Sequence, residues 1–379
     1  MPMDTPDITQ AFRDAAKGLD FYWPGTSISE ACERYGLVPE QVIKMASNEN
    51  AYGPSPKAIA AACKALEKAA IYPSATYDYA DLNRALADYA GVSPDMIAPG
   101  PGSETVARYI AHLFVSPGDE VIAAPQSYDG HPWASLLMGG IVRPVPLLDY
   151  RYDLDAILAA VNERTRIIWI CNPINPTGTV LSRGQTRRLL EAVPPTTAVV
   201  FDEAYREFVD DPEYGDGLDL LLEGYRNVVV LRTLSKVFGL AAVRVGYGIA
   251  IPEICTILES TSEPFHISGP ACAAGVAAVT GDRAWAEEVR DLIVSERGRI
   301  ERSLTGMGLG VVPSQGNFVL VDTGANALDL YEQLMSHGII VRLGSIWHYD
   351  THVRITVGTR EQNDRMLAAV AHEVGASPD

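Results

Sequence analysis

The chain of 379 residues has only five cysteines, Cys32, Cys63, Cys171, Cys255 and Cys272, odd in number and never spaced Cys-x-x-Cys. That scarcity excludes a disulfide framework and an obvious zinc site, and it fits a reducing compartment. Basic charge is short as well: 30 Lys and Arg stand against 48 Asp and Glu, a formal charge of −18. The balance argues against a nucleic-acid groove or an anionic membrane surface as partner. An anionic ligand would instead need local arginines and backbone donors. No apolar run approaches the length of a membrane span. The opening MPMDTPDITQAFRDAA is acidic and lacks the apolar core of a signal peptide, so a cytoplasmic protein is expected. Internal repeats and low-complexity linkers are absent too. What is present, 47% hydrophobic and 21% charged residues, is ordinary globular composition with length enough for two domains.

Helical and strand patterns alternate, the mark of an α/β architecture. SPKAIAAACKALEKA has helix composition behind a Ser-Pro start. EVIAAP, RIIWICNP, AVVFDEAY and NVVVLRT are short apolar runs ending in polar or Gly/Pro-rich turns. Runs this apolar suit strands buried on both faces of a mainly parallel sheet. Ligands of such sheets gather at the carboxyl ends of the strands, where the sequence puts Tyr128, Asn175, Asp202, Tyr205 and Lys236. The final third, with alternating NFVLVDT, strands IIVRL and HVRITVG and interspersed helices, predicts a smaller α+β domain.

Lys236 sits in the nearly apolar run LRTLSKVFGLAAVRVGY. Burying an unpaired ammonium is costly, so the group must be paired, neutralised or chemically used, unless its stem alone is buried. Asp202 ends an apolar strand and aims beyond the sheet edge, although an N-cap role would explain it equally. Tyr205 follows three positions later, and CNPINPTG offers Asn175 in a proline-braced turn. The glycine-rich PGPGSETVARYIAHLF leads into a helix whose first N–H groups form an anion site, with Ser103 adding a hydroxyl. Thr233, Ser235 and Arg244 could complete a phosphate cradle, and Tyr128 offers an aromatic face. An amine, a carboxylate, a phenol, an amide, an aromatic plate and a phosphate cradle are the parts that pyridoxal 5′-phosphate needs. Lys236 would bond its aldehyde, Asp202 would keep its pyridine nitrogen protonated, Tyr205 and Asn175 would hold its phenolic oxygen, and Tyr128 would stack on its ring.

The order and wording of FYWPGTSISEACERYGL, ASNENAYGPSP, NPINPTG, DEAYREF, RTLSKVFGLAAVRVGY and VRITVGTREQND resemble the histidinol-phosphate aminotransferase family, class II aminotransferases of fold type I. The resemblance runs through nearly the whole chain. It implies a large domain, 51–265, with a mainly parallel seven-stranded sheet that binds the cofactor. A smaller α+β domain, 266–379, and an N-terminal arm, 1–50, joining it complete the expected chain. By the same resemblance Lys236 is the catalytic, cofactor-bonding lysine that also moves the substrate proton. Ser103, Glu104, Thr233, Ser235 and Arg244 match the phosphate cup. Tyr72 matches a tyrosine contributed to that cup by the neighbouring subunit, which implies a homodimer. Arg354 matches the main arginine for the substrate's anionic group, and Arg342 and Tyr22, with Asn175, match further substrate contacts.

The expected reaction is amino exchange between L-glutamate/2-oxoglutarate and the pair histidinol phosphate/imidazole-acetol phosphate. An aromatic or broad-specificity aminotransferase and a threonine-phosphate decarboxylase-like lyase would keep the same cofactor residues. A non-catalytic cofactor-binding module is disfavoured by the intact lysine, aspartate and tyrosine. Ile174, Pro101, Leu343 and His131 depart from the family's usual residues; all four are read as remote from the cofactor chemistry and as bearing only on the substrate. His348 and His352 have a spacing that could pair on a helix, but they fall between two expected strands and lack a third ligand, so no metal site is expected.

Overall fold

Seven strands build the larger sheet: β1 (Ile97–Gly100), β2 (Glu120–Ala123), β3 (Ile141–Pro144), β4 (Thr165–Cys171), β5 (Ala198–Asp202), β6 (Val228–Thr233) and β7 (Gly246–Ile249). Their spatial order is β1-β7-β6-β5-β4-β2-β3. All neighbours are parallel except β7, which runs antiparallel to β1 and β6. The computed structural model describes residues 9, 12–17 and 25–376.

The central strands are apolar over residues 167–171, 198–201 and 228–231, because both faces are covered. Ile168, Ile170, Val199 and Phe201 enter one hydrophobic cluster, while Ile167, Trp169, Val200 and Val229 enter another. Each such side chain stabilises the fold by about 1.5–3 kcal/mol on burial. That exceeds the ~1 kcal/mol span of strand propensities, so two-sided burial decides these strands.

A four-stranded antiparallel sheet follows: β8 (Gly310–Val312), β9 (Phe318–Asp322), β10 (Arg342–Leu343) and β11 (His352–Thr356), in the order β8-β9-β11-β10. The expected strand IIVRL is divided. Ile339–Ile340 pairs in parallel with Ile43–Lys44, and only Arg342–Leu343 joins the sheet. The change of partner at Val341 lets the early chain reach the smaller sheet, where Met45 N–H donates to Ile340 O at 2.7 Å and Thr356 N–H donates to Met45 O at 2.8 Å.

The helices that matter for the site are α1 (Pro56–Leu66), α2 (Ala80–Ala90), α3 (Ser103–Phe114), α4 (Gly130–Leu137) and α5 (Gly269–Gly281). Proline at the first turn and Ser55 before it start α1, as its missing N–H has no intrahelical partner there anyway. We propose the division into an arm (1–50), a large unit (51–265) and a small unit (266–379), with α5 as the seam that packs back onto α1 and α2.

Candidate active site

Strands β4, β5 and β6 end side by side, with Cys171 opposite Asp202 and Asp202 opposite Leu231. The chain leaving each end supplies one group of the site: Asn175 after β4, Tyr205 after β5, and Ser235 and Lys236 after β6. Together with the turns after β1 and β2 they enclose a cavity of about 710 Å³, open to solvent and lined by Ser103, Glu104, Tyr128, Asn175, Asp202, Tyr205, Thr233, Ser235, Lys236 and Arg244. A neighbouring cavity of about 650 Å³ shares Tyr128, Asn175, Tyr205 and Lys236 and is walled by Arg342 and Arg354.

One end of the first cavity is an anion cup. Helix α3 starts at Ser103, on the cavity wall, behind Gly102, which has φ 89° and offers no side-chain cap, so its first N–H groups are left to a ligand or solvent. Arg244, itself at φ 65°, donates to Ala241 O at 3.0 Å. Its guanidinium lies so close to Gly102 that a Cβ there would stand 2.2 Å from Nη2; a Cβ at Gly246 would stand 2.2 Å from Ser103 N. Only glycines allow these backbones and the arginine to converge. Thr233 Oγ1 and Ser235 Oγ, 2.9 Å apart, add two hydroxyls. A phosphate dianion fits this donor set.

Lys236 is partly exposed to the cavity, with Nζ 5.4 Å from the centre of the Tyr205 ring. Burial chiefly, and then the positive Arg354, lower its pKa from 10.5 to about 8. About a tenth is then a neutral, nucleophilic amine at pH 7, and the fraction grows as pH rises through 8. Tyr205 accepts from Asn48 Nδ2 at 3.0 Å, and burial pushes its pKa up to about 12, so the phenol keeps its proton.

His131 must be moved from the periphery to the centre. It was expected to lie outside the cofactor chemistry, but its Nε2 is 2.8 Å from Asp202 Oδ2, whose other oxygen accepts from Ala204 N–H at 3.0 Å. The ring stacks on Trp169 at 4.8 Å with 9° between planes, and its Nδ1 faces Cys171 Sγ at 3.9 Å. Burial opposes charge on this imidazole, but Cys171 and Asp202 outweigh it and its pKa is raised. His131, Cys171 and Asp202 are within metal-ligating range of one another. However, the histidine turns opposite ring nitrogens to its two neighbours, so a single ion cannot use these contacts.

Arg354, 4% exposed, donates Nη1 to Asn175 Oδ1 at 2.5 Å and Nη2 to Ala46 O. Its guanidinium lies 4.8 Å from the centre of the Trp347 ring and 5.5 Å from that of Phe318. Arg342, 9% exposed, reaches over Gly25, where a Cβ would stand 2.0 Å from Nη1. Two contributors went unread in the sequence. Asn48, with φ 53°, ties the arm to Tyr205 and Thr356, and Trp347 packs on Arg354. Asn48 has no spacing signal, since its partners are remote in the chain; Trp347 stands only seven residues before Arg354, with a short turn and the start of β11 between them.

Tyr72 is not brought to this cavity. It is 75% exposed and stacks on Phe265 at 4.4 Å, beside a broad groove lined by Ile71, Tyr72 and Phe265. Tyr22 lies outside the described residues. His348 caps a short turn in left-handed conformation, and His352 is buried in β11 and bonded to Tyr150 OH at 3.0 Å. No helix among the described residues is long and apolar enough to cross a membrane.

Residues 40–370 match the family described as aminotransferase class I and II. A histidinol-phosphate aminotransferase of Anaeromyxobacter sp. is 42% identical over 99% of this chain and 100% of its own length. That of Moorella thermoacetica is 38% identical over 94% of this chain and 92% of its own. Among solved structures, the histidinol-phosphate aminotransferase from Sinorhizobium meliloti in complex with pyridoxal-5′-phosphate superposes with a TM-score of 0.86 at 29% identity, covering 96% of this chain and 97% of that one. A double mutant of Thermus thermophilus aspartate aminotransferase shares the fold, with a TM-score of 0.82 at 22% identity over 96% of this chain and 99% of that one.

Proposed function

The chain belongs to the class I and II aminotransferase family, and we propose that it exchanges the amino group of L-glutamate/2-oxoglutarate with histidinol phosphate/imidazole-acetol phosphate, using pyridoxal 5′-phosphate. The observation that carries this reading is the pair of arginines, Arg342 and Arg354, walling the cavity that Lys236 also lines. A phosphomonoester and a carboxylate both suit guanidinium forks, so one clamp can serve both substrates of an exchange.

Pyridoxal 5′-phosphate, when bound, supplies an electron sink that acidifies the proton on the substrate's amino-bearing carbon. The cup of Ser103, Thr233, Ser235 and Arg244 would hold its phosphate, Tyr128 would cover its ring, and Asp202, steadied by His131, would face its ring nitrogen. The Tyr205 phenol and the Asn175 amide are hydrogen-bond donors for its ring oxygen. Lys236 Nζ, with a pKa near 8, can take the proton from the amino-bearing carbon as the amine and, as the ammonium, give it up again on the cofactor side within the accessible pH range. Arg354, fixed by Asn175 and Ala46, holds the anionic end of the substrate so that this carbon stays before the amine.

A second copy is proposed to cover the groove around Tyr72 and Phe265 and to bring Tyr72 to the partner's cup. The exposed stack at Ile71, Tyr72 and Phe265 supports this. Mixing inactive Lys236→Ala protein with an inactive Tyr72 variant should then restore part of the activity through hybrid dimers, whereas a fully active monomer in sedimentation would refute the shared site. The five cysteines are all free, in keeping with a cytoplasmic location.

The substrate assignment is tested by a panel of amino donors with 2-oxoglutarate. Histidinol phosphate should outrun both histidinol and phenylalanine, and Arg342→Ala should lower the first far more than the last. Equal use of phenylalanine, tyrosine and histidinol phosphate would replace this reading with a broad aromatic one, and carbon dioxide release from threonine phosphate would replace it with a lyase.

A further inference from the structure

Asp129 stands in the substrate compartment without a structural job. It occupies the position before α4, where an aspartate usually caps the helix, yet its side chain makes no capping bond. Among the described residues its carboxylate forms no salt bridge within 4 Å and bonds no other side chain; its own backbone N–H is the near donor that favours its charge. The group is half-buried and lines the same cavity as Tyr128, Lys236, Arg342, Ile346 and Trp347. Burial raises its pKa; the positive Arg342 and His131 favour its charge and Glu104 opposes it. A partly desolvated carboxylate left uncapped and unpaired is a standing cost, unless a ligand supplies the missing donor.

The chemistry of the compartment sorts the two ends of a substrate. Arg354 and Arg342 take the anionic groups, and the charge of Arg342, which also favours ionised Asp129, offsets the repulsion between a bound anion and that carboxylate. Trp347, Ile346 and Tyr128 offer apolar and aromatic walls to a flat ring. Asp129 is then the acceptor available to an N–H on that ring. We propose that Asp129 is a specificity-determining residue that accepts a hydrogen bond from the imidazole N–H of the amino substrate. This deepens the histidinol-phosphate reading above and rests on it.

The test compares histidinol phosphate with phenylalaninol phosphate, which keeps the amine and the phosphate but has no ring N–H. The protein with its cofactor bound should prefer histidinol phosphate in kcat/KM by about 10- to 100-fold, the usual worth of a hydrogen bond to a charged acceptor. Asp129→Leu should erase that preference, mainly by raising KM for histidinol phosphate. Asp129→Asn, which retains an acceptor oxygen of the same size, should restore part of it. Unchanged thermal unfolding and cofactor content in both variants would separate this outcome from a folding defect. If histidinol phosphate is used well and the ratio is the same in Asp129→Leu, the role of Asp129 is overturned while the substrate reading stands. If the native protein does not use histidinol phosphate, both fail.

Discussion

Replacing Arg354 perturbs the proposed anion clamp and the amine at once. The guanidinium is buried, bonded to Asn175 Oδ1 at 2.5 Å and to Ala46 O, and sits 4.8 Å from the Trp347 ring centre. Arg354→Ala removes a fork able to make two charge-assisted bonds to a substrate anion. At about 1.5–3 kcal/mol each, the loss is about 3–6 kcal/mol, or on the order of 10²–10⁴ in kcat/KM. Arg354→Lys keeps the charge but not the planar fork, so it should recover only a small part. After burial, Arg354 is the next cause of the low pKa of Lys236, so its loss should move that pKa from about 8 toward 10.5. The lysine is protonated below its pKa and neutral above it. The pH needed for a neutral amine therefore rises in Arg354→Ala and stays lower in Arg354→Lys. Stopped-flow capture of free cofactor across pH reads the midpoint, and steady-state kinetics with histidinol phosphate reads the clamp. A loss below about tenfold together with an unmoved midpoint would refute the reasoning.

Asp202→Asn should lower turnover by several powers of ten, more than it weakens cofactor binding, as read by kcat beside equilibrium dialysis of the cofactor. His131→Phe keeps a ring for Trp169 to stack on but loses the 2.8 Å bond to Asp202, and should cost about 10- to 100-fold in kcat with cofactor affinity much less affected. Gly246→Ala puts a Cβ 2.2 Å from Ser103 N, which forces the cup apart; the overpacking, about 1–3 kcal/mol, should appear as cofactor affinity weakened by about tenfold or more.

The larger sheet was readable because β4, β5 and β6 are buried on both faces, which gives each an apolar run of four or five residues ending in polar residues and turns. The cup was readable because a glycine turn and a helix start are local signals. His131 was not, since it lies 71 positions from Asp202 in the chain and only the arrival of the first turn of α4 at the end of β5 brings them together. Asn48 meets Tyr205 across 157 residues for the same kind of reason. IIVRL carried a strand pattern but no sign that it would split between two pairings, because partner choice depends on the distant Ile43–Lys44. Tyr72 shows the limit of a single chain: it is exposed beside Phe265 and away from the cavity, and only the proposed second copy would give it a place in the site.

The central claim is that Lys236 is the covalently used amine, and it has one direct measurement. The protein with its cofactor bound is reduced with borohydride, digested and mapped by mass spectrometry, with Lys236→Ala treated in parallel. The account predicts a single phosphopyridoxyl adduct on the peptide containing Lys236 in native protein, and neither adduct nor glutamate formation in the variant. An adduct on a different lysine, or full amino transfer by Lys236→Ala, would contradict it.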